Sequence, residues 1–159
     1  GAGAGFSVNI AWSEGGAGDA EYAAAFERII MPIAQSFNPQ FVIISAGFDA
    51  AKGDPLGGCM VSPAGYGKMT EQLLTLANGR VQLVLEGGYN LTSITRSMDA
   101  CVRVLLGEKA PGQRPMLANS TDDECSDSAV NSIVNTARYH LRYWPALRNV
   151  WGDSLGDGW

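Results

Sequence analysis

The chain has 159 residues, 46% of them hydrophobic, which is enough for one domain with a buried core. Its net charge of -5 is spread without a basic cluster, which excludes an obvious nucleic-acid surface. No apolar run approaches the roughly 20 residues of a membrane-spanning helix, so a soluble protein with no membrane partner is expected.

Twenty glycines gather at strand ends and turns rather than in a repeat, which suits a site built from loops. Cys59, Cys101 and Cys125 are odd in number and share no metal-type spacing, so reduced thiols in an intracellular protein are expected. The chain opens with Gly1-Ala2-Gly3-Ala4-Gly5 and no methionine, and runs directly into the alternating Phe6-Ser7-Val8-Asn9-Ile10. That stretch predicts a strand, and the opening reads as the middle of a larger domain.

Asp19 is placed to cap a helix with Tyr22, Phe26, Ile29 and Ile33 on one face, which Pro32 should bend or shorten. Asn38-Pro39 punctuates, and Phe41 to Ala46 predicts a strand buried on both faces. A long irregular turn from Phe48 to Val61 follows. Ser62-Pro63 then offers an N-cap and a proline at the first helical position, ahead of the stripe Tyr66, Met69, Leu73, Leu76 and a stop at Asn78-Gly79. The strand from Val81 breaks at Gly87-Gly88 and leads to a helix with Ile94, Met98, Cys101, Val102 and Leu105 inward, ended by Gly107.

Residues 110–126 shift to Pro, Gly, Ser, Asn and acids and are expected to form a loop or linker. Asp127 can cap a last helix over 127–150, whose Val130, Val134, Ala137, Leu141 and Trp144 should dock on the domain, leaving 151–159 as a tail. Its Arg138, Arg142 and Arg148 fit a solvated face. His140 is the only histidine and is expected to be a structural residue, exposed or partly packed. Strands alternating with helices predict an α/β fold with a mainly parallel sheet and helices on its faces.

In such sheets ligands collect beyond the carboxyl ends of the strands, and two polar groups fall there. Asp49 ends the run Phe41-Val42-Ile43-Ile44-Ser45-Ala46-Gly47-Phe48-Asp49, and Tyr89 ends Val81-Gln82-Leu83-Val84-Leu85-Glu86-Gly87-Gly88-Tyr89. A carboxylate aimed by a sheet is a good hard-oxygen ligand for zinc, magnesium or manganese, although an isolated turn aspartate more often bonds its own backbone. A phenol after two glycines can donate to a substrate carbonyl as negative charge develops on it, or can simply be an amphipathic side chain at a loop edge. Asp54, in Gly53-Asp54-Pro55, reads as turn chemistry.

Taken together, Ser45-Ala46-Gly47-Phe48-Asp49-Ala50, Gly53-Asp54-Pro55-Leu56-Gly57-Gly58 and Leu85-Glu86-Gly87-Gly88-Tyr89-Asn90 resemble the zinc-dependent histone deacetylase family. The wording is that of class II, closest to class IIb, the largely cytoplasmic branch that deacetylates tubulin. Gly18-Asp19-Ala20-Glu21-Tyr22, Met31-Pro32-Ile33-Ala34 and Arg142-Tyr143-Trp144 support it, so the resemblance covers nearly the whole chain.

The resemblance implies an arginase/deacetylase-like three-layer α/β fold, of which residues 1–109 would be the C-terminal half of the catalytic domain. It implies Asp49 as a zinc ligand and Tyr89 as the residue that polarises the scissile acetyl carbonyl. Leu56 would sit at the mouth of the acyl-lysine tunnel and Gly87 and Gly88 on its wall. Phe6 would offer its carbonyl to a structural potassium ion. Tyr89 is the residue of the active members, since vertebrate class IIa enzymes carry histidine there. The polyamine-deacetylating relative has glutamate where Leu56 stands, so leucine points to a protein acetyl-lysine, on a histone tail, tubulin or another protein.

The family's Asp-x-His pair and His-His dyad, which supply the other zinc ligands and the general acid-base, are not in this sequence. The chain by itself is therefore expected to be inactive and to need the N-terminal half of the domain as partner. Its place of work would be cytoplasmic, nuclear or both. Two alternatives stand beside this reading: an acetylpolyamine or small-amide deacetylase of the same superfamily, and a noncatalytic scaffold half-domain.

Overall fold

The computed structural model describes residues 1–110, 125–152 and 155. Helix α1 (Asp19–Ala25), a π turn (Phe26–Ile30) and α2 (Met31–Phe37) precede strand β1 (Val42–Ala46). Helix α3 (Pro63–Leu74) and a 3-10 turn (Ala77–Gly79) connect it to β2 (Val81–Leu85). Then come α4 (Leu91–Leu105), α5 (Asp127–His140), a 3-10 turn (Pro145–Leu147) and α6 (Arg148–Trp151). The strands are parallel, paired from Val42 with Val81 to Ala46 with Leu85, so the α/β organisation expected from the strand-helix alternation is present.

Val42, Ile44, Ala46 and Leu83 turn one sheet face toward α3 and α4, where Tyr66, Met69, Ile94, Met98 and Cys101 close over them. Phe48, just beyond β1, is fully buried in this core. The opposite face, with Ile43, Ser45, Gln82 and Val84, is exposed. Helices thus cover one face of the sheet among the described residues, not both. A second core joins Ala24, Ala25, Ile29 and Ile33 to Ile133, Ala137, Trp144 and Leu147, and docks the C-terminal helices on the α1–α2 arm.

Several starts and stops follow from local chemistry. Ser62 Oγ accepts from Gly65 N at 3.1 Å with Pro63 opening α3, and Asn90 Oδ1 accepts from Ser93 N at 3.1 Å to open α4. Asp19 and Asp127 are not the caps expected of them; each is the first helical residue, after Gly18 and Ser126. The Asp19 carboxylate instead accepts from Ser62 N (2.8 Å) and Ser62 Oγ (2.5 Å), fastening α1 to the start of α3. Glu21 accepts from Gly18 N (2.8 Å) and Ser126 N (3.2 Å), so one carboxylate serves the starts of both α1 and α5.

Pro32 disturbs its helix as expected, with a specific remedy. A prolyl ring clashes with the carbonyl four residues back and brings no N–H to it. The backbone widens into the π turn just ahead, and the Arg28 carbonyl accepts from Trp151 Nε1 at 3.1 Å.

Three expectations need correction. Phe6 to Ile10 is not a strand, because it joins no ladder; its alternation survives only as half-buried Val8 and Ile10 against exposed Ser7 and Asn9. The helix from Asp127 ends at His140 rather than near 150; Ala137, Leu141 and Trp144 dock as expected, but within the helix the buried face is Ala129, Ser132, Ile133, Thr136, Ala137 and His140 rather than Val130 and Val134. His140 is 4% exposed, which makes it a core residue. Burial, with help from Arg142, holds its pKa below the ordinary histidine value against the opposing Gly5 backbone. Arg138, Arg142 and Arg148 are exposed as expected, with Arg142 stacked 4.8 Å over both Tyr139 and Tyr143. None of the three cysteines is in a disulfide. Within the loop expected at 110–126, residues 111–124 lie outside the described residues, as does most of the 151–159 tail.

Candidate active site

Hydrogen bonds carry the pairing of β1 and β2 past the strands, from Glu86 N to Ala46 O (3.0 Å) and from Phe48 N to Gly87 O (2.8 Å). The two turns that follow therefore leave the sheet side by side. Asp49 stands on the first, half-buried, with its carboxylate between two glycines. A Cβ at Gly47 would lie 2.9 Å from Asp49 Oδ1, and one at Gly87 would lie 3.3 Å from Oδ2. A side chain at position 47 would displace the carboxylate, and one at 87 would crowd it.

Buried phenols line the same region. Tyr66 Oη donates to the Gly47 carbonyl at 3.1 Å, fixing the turn from below. Burial pushes the Tyr66 and Tyr22 phenols up, and the Asp49 charge adds in the same direction, so both stay neutral donors. Asp49 makes no hydrogen bond to a side chain among the described residues. A carboxylate so held fits a divalent cation as one donor. Among the described residues no group of three His, Cys, Asp or Glu gathers that could complete a metal centre.

Tyr89 stands on the second turn with 60% of its surface exposed. Gly88 before it has φ of 135°, and a Cβ there would lie 2.8 Å from Ile94 Cγ1 and 3.2 Å from Phe48 Cβ. Glycine is required there both for the conformation and for the space. Leu56 lies farther along the same β1–α3 connection as Asp49 and is 69% exposed. The structure thus sets the Asp49 carboxylate against Gly87, with Gly88 and Tyr89 following on the same turn, and ties that turn through Asp54 to the stretch that carries Leu56. Phe6 belongs to a different cluster: its ring packs edge-on against Trp144 (5.3 Å) and Phe37 (6.2 Å).

Asp54 does more than its turn chemistry indicated. Oδ1 accepts from Leu56 N (2.8 Å) and Gly57 N (3.1 Å), closing its own turn, while Oδ2 accepts from Tyr89 N at 2.6 Å on the other loop. Desolvation pushes its carboxyl up, but bonds from the Leu56, Tyr89, Gly57 and Asn90 backbone together hold it below the ordinary aspartate value. Asn90 Nδ2 to Gly53 O (2.8 Å) and Ser93 Oγ to Lys52 O (2.9 Å) reinforce the same seam. The turn half of this was legible in Gly-Asp-Pro; the cross-loop half links residues 35 apart and leaves no local signal.

The histone deacetylase domain family matches residues 1–105, which include every candidate site residue. Histone deacetylase 15 of Arabidopsis thaliana is 46% identical over 155 residues, 98% of this chain and 27% of that protein. Among solved structures, the histone deacetylase Clr3 superposes with a TM-score of 0.84 at 43% identity, over 93% of this chain and 24% of that one. The HDA15 HD domain also gives 0.84, at 44% identity, over 95% of this chain and 40% of that one. The chain spans between about a fifth and a quarter of the length of the first curated relatives it matches. With two thirds of its residues inside the family match and the same fold at more than 40% identity, the chain belongs to the histone deacetylase domain family.

Proposed function

We propose that this chain is the C-terminal part of a zinc-dependent protein lysine deacetylase domain of class II, closest to class IIb. The complete domain hydrolyses N6-acetyl-lysine on a histone tail, tubulin or another protein to lysine and acetate. One observation carries the reading: a carboxylate cradled by two glycines past one parallel strand end, with a tyrosine on the glycine-rich turn past the next.

Asp49 is the zinc ligand this chain contributes, and the remaining ligands and the general acid-base come from the N-terminal part of the domain. Zinc, when bound, acts as a Lewis acid toward the acetyl carbonyl and activates water. Tyr89 donates its phenol proton in a hydrogen bond to the carbonyl oxygen, a bond that strengthens as that oxygen becomes an oxyanion. Gly87 and Gly88 let the backbone approach the acyl-lysine chain, and Leu56 offers it an apolar mouth. The Phe6 carbonyl is the proposed contribution to a structural potassium site. The absence of a basic cluster fits a protein substrate rather than nucleic acid, and cytoplasm or nucleus is the compartment that suits it.

The test is Tyr89→Phe in the full-length parent protein. Turnover of an acetyl-lysine peptide should fall by about two to three orders of magnitude, the effect of removing one oxyanion donor. Unchanged turnover, or faster hydrolysis of acetylspermidine than of the peptide by the unsubstituted protein, overturns the reading.

A further inference from the structure

We infer that Asp54 is a positioning residue for Tyr89: its carboxylate bridges the Leu56 loop to the Tyr89 backbone and thereby sets where the phenol stands relative to the tunnel mouth. This rests on the deacetylase reading of Tyr89.

The seam bonds of Asn90 to Gly53 and of Ser93 to Lys52 hold the residues after Tyr89, and Tyr89 itself is held through its N–H. Its side chain is 60% exposed, and Gly88 before it carries no side chain that could brace the turn. The direction of the phenol therefore depends on the Tyr89 backbone, and the acceptor on its N–H is Asp54 Oδ2, at 2.6 Å. The other oxygen of the same carboxylate holds Leu56 N and Gly57 N at 2.8 and 3.1 Å. One rigid group thus sets the register between the residue that meets the substrate at the mouth and the residue that meets its carbonyl. A hydrogen bond from an N–H to a carboxylate is about twice as strong as a neutral one, which suits a bond that fixes one turn against another.

Asp54→Asn separates this role from turn closure. Asparagine supports the same Asx turn through one oxygen, but it presents an amide N–H where Tyr89 needs an acceptor. In the full-length protein, Asp54→Asn should lower kcat on an acetyl-lysine peptide by about ten- to a hundredfold, the scale of a misplaced catalytic group, with KM changed less than about threefold and zinc content unchanged. In the Tyr89→Phe background the same substitution should cost less than about twofold, because the group it positions is already gone. Equal losses in both backgrounds, or full activity of Asp54→Asn, overturn the positioning role while leaving Tyr89 in place. No effect of Tyr89→Phe itself overturns the deacetylase reading and this inference with it.

If Asp54→Asn does not fold, hydrogen exchange in the unsubstituted protein decides. The Tyr89 amide should be strongly protected despite its exposed side chain, and exchange at the rate of a free surface amide overturns the inference.

Discussion

At the scale of single residues, the site depends on space left empty. Asp49 is aimed because Gly47 and Gly87 leave its carboxylate room on both sides, and the two clearances differ, at 2.9 Å to Oδ1 and 3.3 Å to Oδ2. A methyl at position 47 forces the carboxylate to move; one at 87 asks for a few tenths of an ångström. In the full-length protein, Gly47→Ala should therefore lower both zinc occupancy and kcat/KM, by about tenfold or more, and Gly87→Ala should do less. The reverse order, read by metal analysis beside acetyl-lysine kinetics, would mean that the carboxylate is not held by this cradle. The position of Asp49 and Tyr89 just past two neighbouring strand ends was legible in the sequence because each closes an apolar run at a glycine, a local pattern. Asp54 was half legible for the same reason: the turn it closes is local, whereas the amide it reaches on Tyr89 is brought near only by the parallel pairing of β1 with β2.

At the scale of elements, the starts of α1, α3 and α5 were readable to within one residue, and the faces less so. Helix α5 shows why. Ser132 and Thr136 count as polar in a periodicity, yet they face the core with their hydroxyls returned to the Ser128 and Ser132 carbonyls at 2.9 and 2.8 Å. With that bond made internally, their small size suits close packing on the α1 arm, and they take the buried face expected of Val130 and Val134. Glu21 is the electrostatic counterpart, tying α1 to α5. Burial raises its carboxyl pKa, but the Gly18, Glu21 and Ser126 backbone bonds outweigh that and leave it below 4.5. A depressed folded-state pKa contributes stability that is present above the unfolded value and lost as pH falls through the folded one. Unfolding midpoints of the full-length protein should therefore drop more steeply on acidification below about pH 4.5 than those of Glu21→Gln, and the two should converge in acid. Parallel curves would remove Glu21 from the coupling.

At the scale of the whole molecule, the sequence and the structure differ over one sheet face. Phe41-Val42-Ile43-Ile44 is the run of a strand buried on both sides, yet Ile43 is 65% exposed while Ile44 is packed. Continuous apolar strands belong to sheets covered on both faces, so this pattern is written for a second layer that the described residues do not supply. The proposal that the rest of the domain supplies it has a direct consequence. An uncovered apolar sheet face invites association, so the chain by itself should self-associate as its concentration rises, and Ile43→Lys should shift it toward monomer. In the full-length protein the same lysine must be buried or must exclude its neighbours. It should lower stability by at least the roughly 1.5–3 kcal/mol gained by burying an isoleucine side chain, measured as a urea midpoint shift. The two effects have opposite signs because one side chain is a liability when bare and a core residue when covered. If Ile43→Lys leaves the full-length protein as stable as before, this face is open to solvent there too, and whatever completes the Asp49 site approaches it from another side.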